Sequence, residues 1–161
     1  MTPLIRSLRY PSARPLLDGE HEHMEYFHVV CTGEVSIIFK LPAWENIILQ
    51  GTLAQPALHY AALAIGALNR GRYHPDIWQT PRVIAFSIRH YSIAIQDINH
   101  QLDGSFQTLK LALLTSVVFT FIEFLLELHS RLEMHIQAGC AMLKDLYVEL
   151  YGTLGIINWF L

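Results

Sequence analysis

A chain of 161 residues is long enough for one domain with a genuine hydrophobic core and too short for two independent ones. With 52% apolar and only 16% charged residues it is no disordered chain, and the shortage of charge points to buried helices or to apolar faces that belong against another surface. A formal charge of −3 with 11 Lys and Arg leaves no cation excess for a phosphate backbone, so direct nucleic-acid binding is not expected.

The N-terminal stretch carries Arg6, Arg9 and Arg14, is interrupted by Pro3, Pro11 and Pro15, and has no apolar run of the kind that a secretory signal needs. Residues 1–19 therefore read as a disordered, flexible arm. From Glu20, the positions Tyr26, Phe27, Val30 and Cys31 recur at helical spacing, and the pattern reaches towards Phe39. Gly33 is a candidate break, and Val35 to Phe39 is β-rich enough to form a short strand instead. Pro42 suits the first turn of a short amphipathic segment holding Trp44, Ile47, Ile48 and Gly51. After Pro56, a helix places Leu58, Ala61, Ala62, Ile65 and Leu68 on one face and stops at Gly71, and its small residues let a neighbouring backbone come close.

A loop from Arg72 to Gln79 ends at Thr80-Pro81, a hydroxyl cap with proline at the first helical position. Next come Ile84, Ile88, Tyr91, Ile95, Ile98 and Leu102 at spacings of 4, 3, 4, 3 and 4, closed by Asp103-Gly104, with Arg89, His90, Gln96, Asp97 and His100 expected on outer faces. Leu111 to Ile122 is almost wholly apolar but shorter than the roughly 20 residues of a bilayer span. Lys110, Glu123 and Glu127 bracket it, so a membrane span is not expected. Ser116, Thr120, Glu123 and Glu127 would form a narrow polar stripe on a central bundle helix. The last helix takes Leu132, Ile136, Gly139, Cys140, Leu143, Leu146, Tyr147 and Leu150 to one face and ends near Gly152. An uncharged tail follows over residues 153–161, with Ile156, Ile157, Trp159, Phe160 and Leu161. The expected fold is all-α, an antiparallel bundle of about five to six helices over residues 20–152.

Chemistry is sparse. His21, Glu22, His23, Glu25 and His28 are the densest group of metal-ligand types, but they follow no metalloprotease spacing and read as a solvated helix face, so no metal is expected. Cys31 lies three residues after His28 without an oriented base or an oxyanion pocket, and both Cys31 and Cys140 read as core packing. Two cysteines are too few for a disulfide framework, which fits a reducing compartment. Glu123, an acid in an apolar helix, calls for solvent or for a buried hydrogen-bond partner. Arg70, Arg72, His74 and Arg82 make a modest basic patch that reads as solvated surface. No catalytic, cofactor-binding or metal residue is assigned.

The order Tyr26-Phe27, Trp44, Leu49-Gln50, Pro56-Ala57-Leu58-His59-Tyr60-Ala61 and Ala64-Ile65-Gly66-Ala67-Leu68 resembles the regulatory, or middle homology, region of fungal zinc binuclear cluster transcription factors. It continues with Tyr91-Ser92-Ile93-Ala94-Ile95, Leu113-Leu114, Phe119, Ile122-Glu123, His135-Ile136-Gln137-Ala138-Gly139 and Met142-Leu143, over residues 20–150. The six-cysteine DNA-binding cluster of that family has no counterpart in Cys31 and Cys140, and the helices resemble only the N-terminal portion of the family's regulatory domain. The resemblance implies a transcription-factor-like protein, nuclear or cytoplasmic and not secreted, in control of a fungal gene cluster such as one of secondary metabolism. Its partner would be another copy or a full-length regulator, met through the Phe119 to Leu128 surface and the Ile156 to Leu161 tail. The small-molecule effector is left open. The rival expectation is a small helical accessory enzyme of secondary metabolism, with an apolar pocket in which two of His28, Glu123 and His135 converge.

Overall fold

A computed structural model of the chain describes residues 19–34, 43–73 and 81–157. Among them are six α-helices and no strand. The helices are α1 (Glu20–Tyr26), α2 (Ala43–Ala54), α3 (Pro56–Tyr73), α4 (Pro81–Gln101), α5 (Phe106–Leu125) and α6 (His129–Ile157). The N-terminal arm, the alternative strand at Val35 to Phe39, the Pro42 and Thr80 caps and the tail beyond Ile157 lie outside the described residues.

The first helical stretch does not break at Gly33. α1 passes directly into a single π turn over Phe27–Cys31, and residues 32–34 are helical again. The wider turn sets Phe27 and Cys31 one above the other towards the core and leaves Val29 75% exposed. Thr32 Oγ1 donates to the His28 carbonyl at 2.9 Å within it.

α3 is the hub of the fold, packed against α1, the π turn, α2, α4 and α5. Ala57, Leu58 and every residue from Ala61 to Ala67 are buried, which is why this segment carries almost no charge. The expected close approach occurs at Gly66, where a Cβ would lie 2.1 Å from the His23 carbonyl oxygen. α3 continues past the expected stop at Gly71 to Tyr73, whose hydroxyl donates to Glu34 Oε1 at 2.9 Å, while Asn69 Nδ2 donates to Glu34 Oε2. That carboxylate ties the end of the first stretch to the end of α3.

His90 is not on an outer face of α4. It is buried, its Nδ1 faces the Phe86 carbonyl at 2.8 Å, and its Nε2 lies 3.0 Å from Oε1 of the buried Glu20. A carbonyl only accepts, so Nδ1 carries the hydrogen of that bond and Nε2 faces the carboxyl. The pair cross-links α1 and α4 through the core.

α5 and α6 form a hairpin. Its first helix starts at a cap in which Ser105 Oγ accepts from Thr108 N at 3.3 Å, and the Asp103 carboxylate accepts from Ser105 N and Thr108 Oγ1, both at 2.8 Å. These donors hold the Asp103 carboxyl down to about 2. The other end stops at Leu125, and Glu127, with φ 58, sits in the connecting turn rather than on the stripe with Ser116, Thr120 and Glu123. Glu123 is fully buried and Thr120 only half-buried, so the stripe is not a solvated one. By length and composition α5 is long and apolar enough to cross a membrane, with mean hydropathy 1.8. Here it packs on α3 and α6, burying Thr115, Ser116, Val118, Phe119, Phe121, Ile122 and Glu123. Of the expected Phe119 to Leu128 contact surface, only Phe124, Glu127 and Leu128 stay exposed.

α6 rests on α5, and it runs to Ile157 rather than ending near Gly152. Its Gly139 allows the approach, since a Cβ there would meet Ser116 Oγ at 3.0 Å. Of its expected apolar face, Gly139 and Leu146 are buried and Leu132 half-buried, whereas Ile136, Cys140, Leu143 and Tyr147 are exposed. Cys140 is therefore not a core cysteine.

Candidate functional site

Because α6 touches α5 and leans away from α4, the three helices line an open cavity of about 580 Å³. α4 contributes Tyr91, Ile95 and Ile98, α5 contributes Phe119 and Glu123, and α6 contributes His135 and Met142. The spacing of Ser116, Phe119 and Glu123 puts all three on the side of α5 that faces this space. Its walls are mostly apolar.

The polar groups meet at the buried end. The Tyr91 hydroxyl donates to Glu123 Oε1 and lies 3.1 Å from His135 Nε2, and the two outer groups are 3.9 Å apart. The phenolic hydrogen is committed to the carboxylate, so His135 Nε2 must carry the hydrogen that Tyr91 Oη accepts. The chain of donation runs from His135 through Tyr91 to Glu123. Phe119 braces it, its ring edge-on to both Tyr91 at 5.0 Å and His135 at 5.6 Å.

Electrostatics follow from burial. Burial, the hydrogen bond to Glu123 and its nearby charge all push the Tyr91 hydroxyl far above the ordinary tyrosine range. Tyr91 is a fixed donor, not a phenolate base. His135 is lowered mainly by burial, against the opposing pull of Glu123 and with help from Arg131. At neutral pH it is an uncharged donor, so its contact with Glu123 is not an ion pair. Glu123 is 0% exposed and its Oε2 has no hydrogen-bond partner among the described residues.

The remaining sequence candidates are dispersed. His28 lies elsewhere, with Nε2 3.4 Å from Thr52 Oγ1, and burial lowers it. His21, Glu22 and Glu25 are exposed while His23 is buried, and among the described residues no group of three or more His, Cys, Asp or Glu side chains is placed to hold a metal ion. The Cys31 thiol accepts from Asn69 Nδ2 at 3.3 Å, and burial pushes it up to about 12, which removes the thiolate a nucleophile needs. Of the basic patch, His74 lies outside the described residues, Arg82 is exposed, and Arg70 and Arg72 are engaged. Arg70 bonds Glu22 Oε2 at 3.2 Å and lies over Tyr26, while Arg72 lies over Phe124.

Sequence reasoning found Glu123 and His135 but missed Tyr91, which joins them. The available signal was its phenol in a stripe otherwise made of isoleucine and leucine, since a buried tyrosine hydroxyl usually has a polar partner. No protein-family model, curated protein or solved structure matches the chain.

Proposed function

We propose that the chain is a transcription-factor-like regulatory module without a DNA-binding element, acting through helix-mediated association with a second copy of itself. The association half of this reading is supported by the outer flank of α6. There Ile136, Cys140, Leu143 and Tyr147 follow one another at spacings of 4, 3 and 4, and the three larger side chains are 47%, 54% and 61% exposed. This is the spacing of a helix-pairing seam, and a two-fold axis lets one stripe serve both partners. Covering such a side chain contributes about 1.5–3 kcal/mol at full burial, set against the cost of bringing two chains together.

On the resemblance given above, the module would act in a fungal gene cluster, from the nucleus or the cytoplasm, and reach DNA only through a partner. Tethering the chain to a separate DNA-binding module upstream of a reporter tests this directly. Reporter output changes with the native chain and returns to baseline with Leu143→Asp. An unchanged output with the native chain contradicts the proposal.

A catalytic reading of Glu123 and His135 is less well supported. The Tyr91 hydroxyl occupies the space between them as a committed donor, where a reacting group would have to sit.

A further inference from the structure

The cavity between α4, α5 and α6 is unrelated to the seam. At about 100° per residue, Ala138, His135 and Met142 fall on one flank of α6, Gly139 and Leu146 on the side facing α5, and Ile136, Cys140, Leu143 and Tyr147 on the opposite flank. One helix thus has one flank on the cavity and the other on solvent.

The volume of about 580 Å³ lies inside the roughly 300–1,000 Å³ that small-molecule pockets occupy. Ile95, Ile98, Phe119 and Met142 offer an apolar lining, and the exposed Asn99, Arg131 and Met134 stand at its mouth. At the buried end the line of donation terminates on Glu123, whose Oε1 is satisfied by Tyr91 and whose Oε2 accepts nothing among the described residues. An acceptor buried in this way costs about 1–3 kcal/mol, more when charged. His135 and Tyr91 cannot relieve it, since each has its hydrogen directed along the line. The missing element is a donor from outside.

We infer that this cavity binds a small apolar molecule carrying a hydrogen-bond donor, an amine or a hydroxyl, which Glu123 Oε2 receives while the apolar body lies against Phe119, Ile95 and Met142. A group that only accepts has no partner at the buried end. Selectivity should therefore follow the donor rather than the apolar body, because a site built for a donor rejects an analogue that lacks it.

The test uses the full chain and a matched series: 4-phenylbutylamine, 4-phenylbutan-1-ol, their methyl ether analogue and butylbenzene. Binding is read by calorimetry and by shifts of the His135 ring signals in NMR spectra. The amine or the alcohol is expected to bind at least about tenfold more tightly than the ether and the hydrocarbon, a difference of about 1.4 kcal/mol. In Glu123→Gln the acceptor is partly replaced by an amide donor, and that preference should disappear or reverse in favour of the ether. Ala138→Trp fills the cavity from an exposed position on α6 and should abolish binding with helix content unchanged. Equal affinity across the series, no saturable binding at millimolar concentration, or undiminished binding to Ala138→Trp would each overturn the inference, and so would a structure with the amine in which Glu123 Oε2 receives only water. Should Glu123→Gln fail to fold, the ligand series and Ala138→Trp still decide. Leu143→Asp, on the opposite flank, should leave ligand binding intact, so failure of the association reading is separable from failure of this one.

Discussion

A Cβ on Gly66 would stand 2.1 Å from the His23 carbonyl oxygen and 2.9 Å from its carbon, so α3 and α1 meet backbone to backbone at that point. No rotamer change relieves such an overlap, and α1 must move, carrying Glu20 away from His90. Gly66→Ala is therefore expected to destabilise the fold by about 2–4 kcal/mol despite alanine's better helix propensity. At Gly33, within the described helical residues, a Cβ meets nothing within 4 Å, and Gly33→Ala should gain up to about 1 kcal/mol. Urea unfolding of the two variants checks the opposite signs. A Gly66→Ala protein as stable as the native chain would mean that the His23 carbonyl does not lie against Gly66.

Acid should weaken the fold well above the carboxylate range. His23 is lowered to about 4, mainly by burial and next by nearby Arg70, and burial also lowers His28 and His135. Below the ordinary histidine value of 6.5 the unfolded chain takes up protons that the folded chain refuses, so stability present above 6.5 is lost as pH falls towards 4. For His23, lowered from 6.5 to about 4, the loss is at most about 3.5 kcal/mol, at about 1.4 kcal/mol per pH unit. Asp103 acts in a lower window: its contribution is complete above 3.8 and disappears as pH falls through about 2. Urea midpoints should drop between pH 6.5 and 4.5 in the native chain and drop less in His23→Leu. A flat profile over that interval would contradict the burial of these imidazoles.

The two cysteines should differ sharply. Cys140 is exposed, whereas Cys31 is buried with its thiol pushed up to about 12. A disulfide reagent at neutral pH is expected to titrate one thiol at once in native protein and the second only on unfolding. Because Cys140 lies in the proposed seam, its labelling should slow as protein concentration rises. Two fast thiols would displace Cys31 from the core, and a concentration-independent rate would argue against the seam.

Helix existence was legible wherever a 3.6-residue period ran for several turns, as from Ile84 to Leu102 or Leu132 to Leu150. Polar residues were harder to place. His90 looks like a surface residue because its partner Glu20 is 70 positions away, and no local pattern announces a pairing at that distance. Glu123 did signal a buried partner through its apolar surroundings, yet the identity of that partner, Tyr91, depends on how α4 docks against α5. Cys140 misled for a different reason. The apolar face of α6 is wide enough for two neighbours, and with α5 covering Gly139 and Leu146 the half that carries Cys140 stays open.

The most direct test of helix-mediated association is sedimentation equilibrium of the purified chain over a wide concentration range, alongside Leu143→Asp. Leu143 is 54% exposed, so the substitution leaves the core untouched. The native chain should pass from monomer to dimer as concentration rises, and the variant should stay monomeric with the same helix content. A native chain that keeps a monomer's mass throughout, indistinguishable from the variant, would contradict the account.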